Sequence, residues 1–179
     1  VFSGALLTSS TPIASPIATM TGLTNNDQFG WTVAAVGDQD ADSREDLAIG
    51  APSDISPASS IVRLFKFGLL PSGMLQPQLV YDVLPFGREA VGKGLAACED
   101  YDGNGVTDFL VGVTYDPNDP FFASRHGYVS ILNTPRTISM GASAGHTGYF
   151  GESVASLGLV LGRRLSVVAD RGNGRVYVF

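Results

Sequence analysis

One short pattern recurs three times at intervals of about sixty residues, a period that indicates a repeat architecture. FGWTVAAVGD, which begins at Phe29, aligns with VGKGLAACED, which begins at Val91, at an offset of 62. DLAIGAP, which begins at Asp46, aligns with DFLVGVT, which begins at Asp108, at the same offset. A third copy starts at Phe150 with FGESVASLGL and closes on GRVYVF. In such a chain each unit buries its apolar face against the neighbouring units.

Each unit reads as about four short strands, because apolar and polar residues alternate between clusters of Gly, Pro, Asn and Asp. No helical period of apolar residues interrupts this pattern. The sequence therefore predicts an all-β fold of four-stranded antiparallel sheets, and a β-propeller protects the sheet edges of such an array. We expect a single propeller segment over residues 1–179, with repeat units at about 3–65, 66–132 and 133–179.

Composition limits the classes of partner. Charged residues make up 16% of the chain and no basic stripe is present, so nucleic acid is not an expected ligand. The longest apolar runs have about six to eight residues, well short of the ~20 that a membrane-spanning helix needs. The sequence predicts no membrane span.

Negative charge is concentrated in two short segments that hold nine of the 17 acidic residues. GDQDADSREDLAIGAP begins at Gly37, and CEDYDGNGVTDFLVG begins at Cys98. In both segments oxygen-bearing side chains occupy positions 1, 3, 5 and 9 of a loop, and position 7 would offer its backbone carbonyl. The predicted ligands are Asp38, Asp40, Asp42, Arg44 and Asp46 in the first segment, and Asp100, Asp102, Asn104, Val106 and Asp108 in the second.

Hard oxygen ligands at this density suit Ca2+, which accepts six to eight of them, so the sequence predicts two Ca2+ sites. An EF-hand is excluded, because its twelfth position requires Glu and these loops place Ile49 and Val111 there. The alternative is that the aspartates merely cap backbone NH groups in turns. Gly105 gives the second loop the freedom for a sharp turn, whereas Ser43 at the matching position predicts strain in the first loop.

The FG pair, the Asp-rich loop and the IGAP ending together resemble FG-GAP repeats, the units of the β-propeller in integrin α subunits and related secreted proteins. The resemblance covers nearly the whole chain, although the second unit has Val91 in place of Phe and GVT in place of GAP. It implies a Ca2+ site between the first two strands of a blade. It also implies an extracellular or cell-surface location and a role in adhesion, scaffolding or surface assembly, without catalysis.

The expected partners are a protein or glycan ligand at the propeller face, together with further blades or neighbouring subunits. Three units are fewer than the about four to eight blades of a closed propeller, so we expect the chain to be part of a larger propeller or assembly. Two other functions stay open: an accessory propeller of a secreted enzyme of the phospholipase or polysaccharide lyase type, and a glycan-binding lectin propeller.

The remaining motifs predict structural roles. GASAG places Ser143 in a nucleophile-elbow pattern beside His146, but the next FG unit follows where such an elbow requires a helix. Cys98 is expected to be a buried thiol. Phe29, Trp31 and Phe150 are expected to fill the space between blades, with a sugar-binding platform as the alternative.

The third unit lacks the acidic loop, because Leu159 falls where the first ligand would stand and Arg163 and Arg164 follow. The sequence predicts no metal site there. It predicts a shortened hairpin with either a solvated basic tip or a contact to an acidic neighbour or glycan.

Overall fold

The computed structural model describes residues 16–53, 60–72, 75–84, 89–115, 127–132, 137–141 and 149–179. These residues form eleven β-strands in three antiparallel sheets. The first sheet contains β1 (Thr32–Ala35), β2 (Leu47–Ala51), β3 (Ile61–Leu69) and β4 (Leu75–Val83). The second contains β5 (Ala90–Cys98), β6 (Asp108–Thr114), β7 (Tyr128–Leu132) and β8 (Thr137–Gly141). The third contains β9 (Phe150–Val160), β10 (Arg163–Asp170) and β11 (Arg175–Val178).

Strands that follow one another in the chain are neighbours in each sheet, so every sheet is a meander. The all-β prediction is confirmed, and so are sheets of the kind that form propeller blades. The third sheet differs from the prediction of four strands, since its described residues form three. The predicted unit boundaries stay a prediction, because a tandem repeat can be divided at any point of its cycle. Within the described ranges, no helix has the length and apolarity that crossing a membrane requires.

The three sheets stack in chain order, and the central strand β6 is buried on both of its faces. Successive side chains on a strand point to opposite faces. Phe109 and Val111 therefore join the core between the first and second sheets, where they meet Val62 and Leu64. Leu110 joins the core between the second and third sheets. Burying each such side chain contributes about 1.5–3 kcal/mol.

Glycine is required where neighbouring blades approach most closely. A Cβ atom on Gly50 would lie under 3.0 Å from the carbonyl oxygen of Gly92, and one on Gly112 would meet the carbonyl oxygen of Gly151 in the same way. Gly92 and Gly151 themselves have φ values of +92° and +90°. The glycines of the second and third FG-like pairs thus pack against the glycine of the preceding blade's GAP-like segment. This contact gives both halves of the sequence motif a physical reason.

Hydrogen bonds reinforce the contact between the first two blades. The hydroxyl of Thr32 donates to the carbonyl of Gly92 at 2.6 Å. The hydroxyl of Ser60 donates to the carbonyl of Glu89 at 2.6 Å and accepts from the backbone NH of Val91 at 3.0 Å. Buried polar groups are therefore paired across the interface, as a stable dry interface requires.

Candidate metal centres

The two acidic segments form equivalent loops in the first and second sheets. Loop 1 (residues 37–46) joins β1 to β2, and loop 2 (residues 99–108) joins β5 to β6. The backbone NH of Asp46 donates to the carbonyl of Gly37 at 2.8 Å, and that of Asp108 donates to the carbonyl of Glu99 at 3.0 Å. Each loop is therefore closed at its base by a ladder bond, between two strands rather than two helices.

Three carboxylates converge in each loop. In loop 1 they belong to Asp38, Asp40 and Asp42, and in loop 2 to Asp100, Asp102 and Asp108; within each group one oxygen per residue lies within 4.8 Å of the others. These two groups could hold metal ions. The structure therefore brings together some of the predicted ligands. Asp108 belongs to the loop 2 group, whereas the equivalent Asp46 lies outside the loop 1 group.

The first aspartate of each loop organises the backbone around it. Asp38 accepts hydrogen bonds from the backbone NH groups of Asp42 and Ser43, at 3.0 and 2.7 Å. Asp100 accepts from those of Gly103, Asn104 and Gly105, at 2.7, 3.0 and 2.8 Å. The bond from Gly105 is the largest cause that lowers the pKa of Asp100, so this carboxylate stays charged.

Both loops use the left-handed backbone region at positions 4 and 6. Ala41 and Ser43 have φ values of 62° and 65°, and Gly103 and Gly105 have 78° and 88°. Glycine adopts this region without steric cost, whereas alanine and serine do not. The predicted strain at Ser43 is confirmed, and Ala41 carries the same strain. Loop 1 thus reproduces the backbone path of loop 2 with less suitable residues.

The ninth position supplies a buried carboxylate in each loop. Asp46 is 1% exposed; one oxygen accepts from the backbone NH of Gln39 at 2.8 Å, and the other has no hydrogen-bond partner. Burial raises the pKa of Asp46, and the charges of Asp40, Asp42 and Asp38 raise it further. A buried anionic oxygen without a partner is costly, and a cation in loop 1 would relieve that cost.

A second oxygen in loop 1 fits a cation in the same way. One carboxylate oxygen of Asp40 is buried without a hydrogen-bond partner.

In loop 2, Asp108 is 0% exposed and accepts from the backbone NH of Tyr101 at 2.6 Å. The side chain of Asn104 accepts from the backbone NH of Val106 at 2.7 Å. The donor sets consist of oxygen atoms alone, which suits a hard cation.

The backbone carbonyls predicted at position 7 stay a prediction. The described contacts of Arg44 involve its side chain, which donates to the carbonyl of Phe67 at 3.3 Å, and its NH, which donates to Asp42 at 3.0 Å. Val106 contributes the NH that reaches Asn104. The sequence motif placed both residues at position 7, and both lie in the loops as expected.

Two further residues make contacts at the loops, although neither is at a ligand position of the sequence motif. The ammonium group of Lys66, on β3, lies 2.5 Å from one carboxylate oxygen of Asp40 and 4.0 Å from one of Asp42. The side-chain amide of Gln39 donates to the carbonyl of Val36 at 2.7 Å and to that of Thr107, in loop 2, at 2.5 Å. Lys66 lies 20 residues beyond the last ligand in sequence, so spacing within the loop carries no signal of it.

The third hairpin has no acidic loop, as predicted, and turns directly between Val160 and Arg163. Its basic tip contacts an acidic neighbour, since the guanidinium of Arg164 lies 3.8 Å from the carboxylate of Glu99 beside loop 2. Of the two alternatives left open by the sequence, the contact with an acidic neighbour is the one observed for Arg164.

Other sequence predictions have mixed outcomes. Phe150 is 0% exposed and packs against Tyr177, which confirms its place in the core. Trp31 is 50% exposed, so the prediction that it fills the space between blades is wrong; its ring faces the ammonium of Lys93 at 5.8 Å. Cys98 is buried, as predicted. Ser143 and His146 lie outside the described residues.

Comparisons with known proteins show a distant relationship to integrin alpha subunits. The chain is 30% identical to integrin alpha-4 of Xenopus laevis over 116 residues, which cover 63% of the present chain. It is 35% identical to integrin alpha-PS5 of Drosophila melanogaster over 92 residues and 33% identical to integrin alpha-5 of Xenopus laevis over 106 residues, which cover 50% and 55% of its length. No protein-family model matches the chain.

The resemblance predicted from the repeats is thereby confirmed. The matched regions make up 11%, 9% and 10% of those three relatives, so the chain spans about a tenth of their length. The relationship concerns the region of β-sheet repeats and not the whole of these proteins.

Proposed function

We propose that the chain is a calcium-binding segment of an FG-GAP β-propeller that serves adhesion, scaffolding or surface assembly outside the cell, without catalysis of its own. The observation that carries the proposal is the convergence of three carboxylates in each of two equivalent loops. The distant relationship to integrin alpha subunits supports the same function. The partners would be a protein or glycan ligand at the propeller face and further blades or neighbouring subunits.

The side chains of Asp38, Asp40, Asp42 and Asp46 would hold one Ca2+, and those of Asp100, Asp102, Asn104 and Asp108 would hold the other. The carbonyls of Arg44 and Val106 would complete the two sites. Carboxylate and carbonyl oxygens are the ligands that Ca2+ prefers, whereas softer metals select sulfur or imidazole. Bound Ca2+ would supply the positive charge that balances the clustered carboxylates.

The contribution of the chain is to hold these oxygens close together before the ion arrives. Asp38 and Asp100 do so through the NH groups of their own loops. Gln39 fastens loop 1 to the backbone of loop 2. An affinity of about 10⁻⁴ to 10⁻³ M, typical of extracellular modules, would fill both sites where calcium is abundant.

Calcium removal tests this proposal. At 1 mM free Ca2+ and a Kd of about 10⁻⁴ M, each site would add about 1.4 kcal/mol to the free energy of unfolding. Two such sites would raise the melting temperature by roughly 5–10 °C over that measured in EGTA, for a chain of this size. Calorimetric titration is expected to give two Ca2+ per chain, with 1 mM Mg2+ as the control that produces a smaller shift. Equal melting temperatures in Ca2+ and EGTA would contradict the proposal.

Glycan binding is a second candidate, because the half-exposed ring of Trp31 offers an apolar face to solvent. Sugars stack on such faces, and the neighbouring Lys93 supplies a hydrogen-bond donor. A glycan array with Ca2+ present would test this candidate, with Trp31→Ala as the variant expected to lose any signal. The role of an accessory propeller in a secreted enzyme stays a prediction.

A further inference from the structure

A positively charged side chain from β3 reaches the carboxylates of loop 1. The Lys66 ammonium contacts two of the three converging carboxylates of loop 1, at 2.5 Å from Asp40 and 4.0 Å from Asp42. A lysine amine is protonated at neutral pH, so it carries a positive charge at this position. The amine therefore acts as a cation within the same group of oxygens that a metal would use.

The position of Lys66 is fixed by the sheet rather than by a mobile surface loop. Lys66 lies in β3 and pairs with Gln78 of β4, and the neighbouring Phe65 pairs with Leu47 of β2. Its side chain is 31% exposed, and that of Asp40 is 17% exposed. Partial burial weakens solvent screening, so this ion pair is stronger than a fully exposed one.

The two proposed ligand sets differ by one charge. Position 5 is Asp42 in loop 1 and Asn104 in loop 2, so the first ligand set has four carboxylates and the second has three. More carboxylates favour tighter calcium binding. On ligand charge alone, loop 1 would be the tighter site.

In the second repeat, the sequence has no lysine at the position that corresponds to Lys66. Leu47 pairs with Phe65 in the first sheet, and the equivalent Phe109 pairs with Leu132 in the second. The residue after Leu132 is Asn133, which is uncharged and lies outside the described residues. Near loop 2, the guanidinium of Arg164 lies 3.8 Å from Glu99, which is not a proposed ligand, and its charge also acts on the proposed ligand Asp100 without a contact to it among the described residues.

We propose that Lys66 is a tethered cation that competes with Ca2+ for the carboxylates of loop 1 and cancels the extra charge of Asp42, so that loop 1 does not become the tighter site. This inference rests on the proposed function, because it concerns the regulation of one of the two calcium sites. The ammonium occupies one carboxylate oxygen of Asp40, and its charge repels a Ca2+ ion that approaches the other oxygen. In calcium-free protein the same ammonium limits the repulsion within the loop.

The test isolates loop 1 and then removes the competing charge. Asp100→Asn and Asp102→Asn together disable loop 2, and calorimetric titration with Ca2+ then measures the Kd of loop 1 alone. Adding Lys66→Met to this variant is expected to tighten that Kd about tenfold, which corresponds to about 1.4 kcal/mol. Adding Asp42→Asn as well should return the Kd to the value that loop 2 shows in the otherwise unchanged protein.

Two control variants separate competition from unrelated effects. Lys66→Arg keeps the positive charge and should leave the Kd of loop 1 within about threefold, or about 0.7 kcal/mol. Arg175→Met removes one positive charge from an exposed position on β11 in the third sheet and should leave both calcium sites unchanged. Thermal melting in EGTA gives an independent readout, because Lys66→Met should lower the melting temperature without calcium and enlarge the rise on calcium addition.

The outcomes distinguish this inference from the proposed function. A Kd for loop 1 that stays within twofold after Lys66→Met, or weakens, would overturn the inference while leaving calcium binding intact. If the variant with loop 2 disabled binds no Ca2+ with or without Lys66, both the inference and the site in loop 1 fail. A tightening seen equally with Arg175→Met would also overturn it, since the effect would then come from net charge alone.

Discussion

Alanine in place of the glycine at the closest contact between two blades is expected to destabilise the fold strongly, although it adds only one methyl group. In Gly112→Ala, the added methyl group would meet the backbone carbonyl of Gly151 at well under 3.0 Å, a separation that real Cβ atoms do not adopt. The obstructing atoms belong to the backbone of the FG-like pair and cannot rotate away. Overpacking a core costs about 1–3 kcal/mol, and we expect the upper end here because relief requires the third sheet to move.

For a chain of 179 residues, a loss of about 3 kcal/mol lowers the melting temperature by roughly 6–12 °C. Differential scanning calorimetry in excess Ca2+ measures this shift. Gly68→Ala is the matched control, because Gly68 also lies in a strand and its added methyl would meet the flexible side chain of Gln78 first. A melting temperature for Gly112→Ala within 1–2 °C of that for Gly68→Ala would refute the argument from close approach.

Two further predictions concern loop strain and alkaline pH. Ser43→Gly should raise the free energy of unfolding in EGTA by about 0.5–1 kcal/mol, because relief of the left-handed strain exceeds the added entropy of the unfolded chain. Urea unfolding measures this change, and Gly105→Ser should lower the free energy of unfolding by a similar amount. A lower free energy of unfolding for Ser43→Gly would contradict the prediction. Burial raises the pKa of Cys98 to about 12, with the charge of Asp108 adding to the rise. The unfolded chain therefore releases this proton near pH 9 while the folded chain retains it, so stability falls by about 1.4 kcal/mol between pH 8 and pH 10. Cys98→Ala should lose that part of the slope in urea unfolding at pH 8, 9 and 10, and parallel profiles for the two proteins would count against it.

The repeat made most of the fold predictable from sequence. A period of about sixty residues, strand-length segments and turn residues were enough to predict antiparallel sheets in tandem, because each of these signals is local. The role of the motif glycines was not predictable in the same way. Gly50 and Gly92 are 42 positions apart in sequence, and their contact exists only after two sheets have stacked.

Trp31 shows the limit of reasoning from residue type. A tryptophan next to an FG pair favours a buried position on hydrophobic grounds, yet its ring is half exposed while Phe150 is fully buried. Phe150 lies one residue before the glycine of its pair and packs on Tyr177. Trp31 follows its own glycine, Gly30, which has a φ of +90°, and it lies just before the first residue of β1. The position of each aromatic residue relative to its pair glycine, and not its hydrophobicity, therefore separates the two outcomes.

The acidic loops were predictable because the alternate spacing of their ligands is a local property of the sequence. The contacts that distant residues make with the loops were not predictable in this way. Lys66 reaches loop 1 from a different strand, and Gln39 reaches the carbonyl of Thr107 in the neighbouring sheet. The backbone NH of Gln39 also binds the buried carboxylate of Asp46, while its side chain spans the blade interface. Gln39, which hydrogen-bonds to the proposed ligand Asp46 of loop 1, is thus also hydrogen-bonded to the backbone next to Asp108 of loop 2. Gln39 thus links the ninth position of loop 1 to the backbone of loop 2, a contact that exists only after the first two sheets have stacked.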